Sequence, residues 1–248
     1  MNRWLPFCRL TLALAATALI SSAAHAGTTS GINLSWNDCG TFGIMQKNFA
    51  CTANSGSNIL YMSAITGLQM DQLNGEASVI TLQSNQAALS PWWNLQTGGC
   101  RSVALSGGFD FTANVSCLDP WANQAVGGFN YTAGQDNVPN RGRIKTVCAI
   151  NPSTGITGID EYYFAKVTVL NSKSTGNGSC AGCDDGVCLV FNQLQVTQPA
   201  GVGDVILQNP LGREFVEWQG GGSLVTGGCP AATPTRNATW GSVKSLYR

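Results

Sequence analysis

Charge is scarce in this chain: only 10% of its 248 residues are Asp, Glu, Lys or Arg, against about 25% in an ordinary globular domain. The thirteen basic side chains balance thirteen acidic ones, and no basic cluster exists. A near-neutral chain of that kind lacks the electrostatic footprint of a phosphate-backbone binder, which excludes nucleic acid as a partner. Disorder is excluded too, because a disordered chain of this size is charge-rich and poor in aromatic and β-branched residues. Long hydrophobic runs are equally scarce. The longest, within residues 10–20, is too short to anchor the chain across a bilayer, so no membrane span is expected.

That run belongs to an address. Arg3 and Arg9 supply a positive flank, residues 10–20 an apolar segment, and Ala24-His25-Ala26 a small-residue cleavage site, which together read as a signal peptide over residues 1–26. Cys8 precedes the apolar run, where a lipoprotein cysteine would follow it, so export without an acyl anchor is expected. The exported form then begins at Gly27 and carries eleven basic against thirteen acidic side chains, a formal charge of −2.

Cleavage also removes the only histidine, His25. No other side chain takes a proton near neutral pH with an unperturbed pKa, so Ser-His-Asp and Cys-His nucleophilic catalysis are excluded. His-ligated zinc and copper sites go with them. Paired carboxylates, lysine or tyrosine remain available for chemistry.

What the chain has in quantity is glycine, 30 residues, and cysteine. The nine cysteines of the exported form are Cys39, Cys51, Cys100, Cys117, Cys148, Cys180, Cys183, Cys188 and Cys229. In an oxidising compartment such a set reads as disulfides. Proximity in sequence pairs Cys39 with Cys51 and Cys100 with Cys117. The Cys180-Ala-Gly-Cys183 step with Cys188 behind it is also compatible with a metal knuckle or a redox pair, but a fourth soft ligand and a βαβ setting are both lacking. Nine is odd, so one thiol is free or paired between molecules.

Periodicity along the exported chain is that of strands. Ile144, Thr146, Cys148 and Ile150 alternate with Arg143, Lys145 and Val147, and Tyr163, Ala165, Val167 and Val169 alternate with Phe164, Lys166 and Thr168, each a period of two. Further strands are expected at 32–36, 59–65, 77–83, 102–111, 128–132, 188–197 and 214–218. Turn-forming clusters at 54–58, 98–99, 137–142, 151–155 and 172–186 separate them. The fold class predicted is all-β: a disulfide-stapled antiparallel β-sandwich, jelly-roll-like, forming a single domain over residues 27–248. One segment departs from the strand rule. Trp240, Val243 and Tyr247 share a side at helical spacing, with Lys244 and Arg248 toward the C-terminal end, which predicts a short helix at about 237–247 that seals the sandwich or serves as a docking tail.

Three stretches carry a resemblance. The opening Ile32-Asn33-Leu34-Ser35-Trp36-Asn37-Asp38-Cys39, the stretch Asn171-Ser172-Lys173-Ser174-Thr175-Gly176-Asn177-Gly178-Ser179-Cys180-Ala181-Gly182-Cys183, and the ending Thr239-Trp240-Gly241-Ser242-Val243-Lys244-Ser245-Leu246-Tyr247-Arg248 are similar to a group of exported, uncharacterised bacterial proteins. The resemblance implies one bacterial domain, and it carries over no functional residue.

Three constellations bear on function. Trp92 and Trp93 after Pro91, with Trp121 elsewhere, would suit a glycan platform if their rings sit at loop tips, whereas tryptophan in a sandwich is otherwise core. Asp38, Asp110, Asp119, Asp160, Glu161, Glu214 and Glu217 include any carboxylate pair for glycoside hydrolysis, which needs two acids about 5–10 Å apart and no histidine. Asp184-Asp185-Gly186 near Asn177 offers oxygen ligands to calcium, though a tight turn accounts for Asp-Gly equally well. No metal site or other cofactor is expected beyond that calcium alternative, and no catalytic residue is assigned. The functional expectation is an exported, non-enzymatic surface, matrix or adhesion protein, extracellular, periplasmic or on the outer cell surface. Its partner would be a glycan or another envelope protein. The alternative is a carbohydrate-active enzyme using a carboxylate pair.

Overall fold

The structure, a computed structural model, describes residues 30–39, 43–113, 116–211, 214–221 and 229. The predicted signal peptide and the predicted helix at 237–247 lie outside the described residues.

Alternating apolar and polar side chains along glycine-punctuated runs produce an all-β chain. In chain order the strands are β1 (Gly31–Trp36), β2 (Gln46–Lys47), β3 (Ser57–Ile65), β4 (Met70–Ser84), β5 (Leu105–Gly108) and β6 (Val126–Ala133). They continue with β7 (Arg141–Ile156), β8 (Tyr162–Leu170), β9 (Val187–Thr197), β10 (Val205–Leu207) and β11 (Phe215–Trp218). Among the described residues, helix is limited to two single 3-10 turns, Pro91–Trp93 and Gln135–Asn137.

Two sheets form. A four-stranded sheet has the order β1-β3-β8-β5, and a seven-stranded one the order β2-β11-β9-β4-β7-β6 with β10 beside β9. Every pairing is antiparallel except β2 with β11. The predicted period of two sets which face is dry. Along β7, Ile144, Thr146, Cys148 and Ile150 are buried while Lys145, Val147 and Ala149 are exposed. Along β8, Tyr163, Ala165, Val167 and Val169 are buried as expected. Phe164, on the other face, is buried as well, because the Trp121 indole packs edge-on against it at 5.9 Å. The inner faces of both sheets share one contiguous core that includes Leu34, Leu60, Val167, Ile80, Leu194 and Val216.

Boundaries differ from the sequence reading in several places; β4, expected from residue 77, begins at Met70. Residues 151–155, expected as a turn, run inside the sixteen-residue strand β7. The ladder with β4 steps from Ala149 opposite Gly75 to Thr154 opposite Leu73, so Pro152 sits in a gap where no ladder donor is required. Conversely, of the strand expected at 102–111 only Leu105–Gly108 forms. Ala104 N–H closes a turn on the Arg101 carbonyl, and Asp110 closes another by accepting from Thr112 N–H at 2.9 Å.

Candidate functional site

Trp92 and Trp93 follow Pro91 on a 3-10 turn, and both are 0% exposed. Proline suits the first position of such a turn because its missing N–H has no partner there in any case. The turn drives both indoles into a cluster with Trp36, Phe49 and Trp218. Phe49 stacks on Trp218 at 3.8 Å, Trp92 tilts against it at 4.7 Å, and Trp93 meets it edge-on at 5.3 Å. Ring N–H groups of Trp36, Trp92, Trp121 and Trp218 donate to Glu217 O, Ser174 Oγ, Phe164 O and Cys183 O. Trp121 is likewise 0% exposed. The glycan-platform expectation is therefore corrected for all three: burial of their apolar area stabilises the core, and no ring face is offered to solvent.

Four disulfides are present: Cys39–Cys117, Cys51–Cys183, Cys100–Cys180 and Cys188–Cys229. The pairs expected from proximity, Cys39 with Cys51 and Cys100 with Cys117, do not form. Strands carry sequence neighbours apart, and the bonded pairs are separated by 41 to 132 residues. Cys180 and Cys183 bond to different partners, so that step is neither a redox pair nor a metal knuckle. The leftover thiol is Cys148, buried and free.

Four of the seven acids are engaged as local caps. Asp119 Oδ1 accepts from Trp121 N–H at 2.8 Å, Asp160 Oδ2 from Thr157 Oγ1 at 2.6 Å, and Asp38 Oδ1 from Cys39 N–H at 2.7 Å. Asp110 accepts from Thr112, which holds its carboxyl below the ordinary range. Glu161 Oε1 accepts from Asn33 Nδ2 and Ser63 Oγ at 3.1 and 2.6 Å. Glu214 and Glu217 act through their carbonyls, which accept from Phe191 N–H and Trp36 Nε1. In the Asp184-Asp185-Gly186 loop, Asp185 N–H closes a turn on Gly182 O. Among the described residues no group of three or more His, Cys, Asp or Glu side chains is placed to hold a metal ion.

Sequence reading missed a different acid. Glu76 lies on the inner face of β4, 1% exposed, opposite Cys148 of β7. Ser78 Oγ donates to Glu76 Oε2, and Thr146 Oγ1 donates to Oε1 at 3.0 Å. Burial outweighs both hydrogen bonds and pushes the carboxyl pKa up to about 7, because a low-dielectric surrounding penalises the ionised form. Burial and the Glu76 carboxylate together push the Cys148 thiol up as well, so it is a poor nucleophile. A signal was present: the alternation read at 77–83 places Glu76 on the buried side with Ser78, Ile80 and Leu82.

The outer face of the seven-stranded sheet has another character. Val147 is 57% exposed and Val126 80%. Val147 lines, together with Ala77, Val79, Gly128, Asn130 and Lys145, an open groove of about 470 Å³. It exists because Ala77 and Gly128 are small where Val147, between them in the register, is not. Exposed apolar area that is contiguous marks contact surfaces more often than scattered residues do. No family model and no curated protein matches the chain.

Proposed function

We propose that this chain is an exported, non-enzymatic surface or matrix protein that works by presenting the outer face of its seven-stranded sheet to another polypeptide. The observation that carries the reading is the apolar groove between Ala77 and Gly128, flanked by exposed Val126 and Val147. Four disulfides support an oxidising compartment, and among the described residues no helix is long and apolar enough to cross a membrane. A polypeptide suits this face better than a glycan, since the groove is mainly apolar and the five described tryptophans are inside the core.

Expression with the native leader, followed by fractionation and intact mass, tests the export half. The expected product lies in the medium or at the cell surface, begins at Gly27 and contains four disulfides. Incubation with a polysaccharide panel tests the other half. Turnover abolished by an Asp→Asn or Glu→Gln change at one of the seven acids would overturn the non-enzymatic reading, and a reduced protein retained inside the cell would overturn export.

A further inference from the structure

The two sheets end in edges of very different quality. On the four-stranded sheet, β1 is bridged at both ends: Ile32 exchanges main-chain bonds with Asn209 and Leu211 flanking Pro210, and Trp36 with Ile44. Its other edge, β5, has four residues. On the seven-stranded sheet one edge, β2, has two residues. The other is β6, with eight residues, an unbroken register against β7 from Val126 opposite Ala149 to Ala133 opposite Gly142, and mostly exposed side chains. Edge strands are ordinarily protected by brevity, lysine, proline or a bulge. The β6 sequence Val-Gly-Gly-Phe-Asn-Tyr-Thr-Ala has none of these and no charge of either sign.

The hydrogen-bonding direction of β6 follows from its turn. Gly134 N–H donates to Arg141 O, so in an antiparallel ladder the even-numbered residues bond to β7 and the odd-numbered ones point their N–H and C=O outward. The Ala133 N–H agrees, reaching Gln96 Oε1 at 3.4 Å on the outward side. Gly127, Phe129 and Tyr131 thus offer main-chain donors and acceptors beyond the sheet.

Along this edge a central pair of aromatics is flanked by smaller side chains. About Asn130 stand two aromatics, Phe129 and Tyr131; beyond them Gly128 and Thr132; beyond those Gly127 and Ala133. A strand with that pattern fits an antiparallel copy of itself with the two-fold axis at Asn130. Phe129 then lies opposite Tyr131 of the second copy, Gly127 opposite Ala133, and Gly128 opposite Thr132, with no like charges facing. The outward residues are the hydrogen-bonded ones in that register, giving about eight new main-chain bonds. Aromatic pairs sit at the centre, where the ladder is best protected, and the glycines let the flanking backbones approach.

We propose that β6 is a self-association edge: two copies of this chain pair antiparallel through Gly127–Ala133, joining their seven-stranded sheets into one continuous sheet across Asn130. This rests on the surface-protein reading above and names a second copy as the partner at the rim of that same face. The exposed groove at Gly128 and Val147 then borders the junction, spanning β6 and β7. Among the described residues, the long Ala133 contact to Gln96 is the main-chain bond that such pairing must replace.

Sedimentation velocity on the exported full chain across the micromolar range is expected to show a monomer–dimer equilibrium. Replacing Gly128 and Thr132 by lysine places like charges opposite each other twice in the dimer, and is expected to weaken it at least about tenfold. Both positions are exposed and a Cβ at Gly128 meets open space, so the melting temperature of this variant checks that the monomer still folds. Asn130→Cys is expected to yield a disulfide-linked dimer under oxidising conditions, because non-hydrogen-bonded partners have Cα atoms about 4.5 Å apart. Thr132→Cys, four residues out of register with itself, is expected to stay uncrosslinked. A protein that is monomeric throughout, or a dimer indifferent to the lysines and not cross-linked at position 130, overturns the proposal. A monomer that is still displayed outside the cell overturns self-pairing alone, whereas a dimer retained inside the cell supports the pairing and overturns the surface-protein reading.

Discussion

The guanidinium carbon of Arg101 lies 3.4 Å from the ring centroid of Trp92, and the same side chain donates to three carbonyls, those of Trp92, Leu170 and Ser172. Arg101 is 1% exposed and forms no ion pair among the described residues. Burial pushes its pKa down to about 9, which leaves it charged at neutral pH, solvated by carbonyl dipoles and a π face instead of water. The planar fork ties the tryptophan turn to the end of β8 beside the Cys100–Cys180 bond.

Replacement of Arg101 by methionine is expected to destabilise the fold by roughly 3–5 kcal/mol, since it strands buried acceptors that have lost their donor. Arg101→Lys should recover only part, because an ammonium is a point charge and cannot span three carbonyls. Urea denaturation midpoints check this. A methionine variant within about 1 kcal/mol of the parent would show that the fork is dispensable.

Non-reducing peptide mapping of the exported protein is expected to recover the four pairs Cys39–Cys117, Cys51–Cys183, Cys100–Cys180 and Cys188–Cys229. A thiol reagent should find no reactive group in the native state and one, Cys148, after unfolding. Opening the Cys51–Cys183 loop of 132 residues is expected to cost about 5 kcal/mol in the chain-entropy picture. A native protein in which Cys148 reacts at the rate of a free peptide thiol would contradict its burial on the inner face of β7.

Trp218 touches Trp36, Phe49, Trp92 and Trp93, and its N–H holds Cys183 O at 2.8 Å. Trp218→Ala is accordingly expected to cost roughly 3–5 kcal/mol, the range for emptying a large aromatic site. The same substitution should quench and red-shift the tryptophan fluorescence of the remaining cluster, a signature that a surface tryptophan would not give.

Strand positions were legible because alternation is a local property. The face of β7 bearing Ile144 and Cys148 and the face of β8 bearing Tyr163 and Val169 are both written in residues two apart. Which cysteines meet is not local. Cys51 and Cys183 come together only after the intervening strands have crossed between sheets, and spacing in sequence contains no trace of that. The tryptophans illustrate a third case: Pro91-Trp92-Trp93 reads equally as a loop tip or a buried turn, and only the arrangement of Trp36, Phe49 and Trp218 around it decides. Glu76 is hard to see in sequence because the alternating stretch that marks the strand starts at Ala77, one residue after the acid that shares its buried face.

Glu76 supplies a pH dependence whose sign can be worked out. Its pKa is about 7 in the folded state against an ordinary 4.5, so between those values the native protein holds a proton that the unfolded chain has released. Stability therefore falls as pH rises through that window and levels off above about 7. The displacement corresponds to roughly 3 kcal/mol between the two ends. Glu76→Gln keeps the shape and places a neutral group between Ser78 and Thr146, so it is expected to remove the slope and to stabilise the protein at pH 8 while changing little at pH 5. Urea midpoints taken at half-unit steps from pH 4 to pH 8.5 check both halves. A parent protein whose stability rises across that interval, or a glutamine variant with the same slope as the parent, would show that another group governs the dependence.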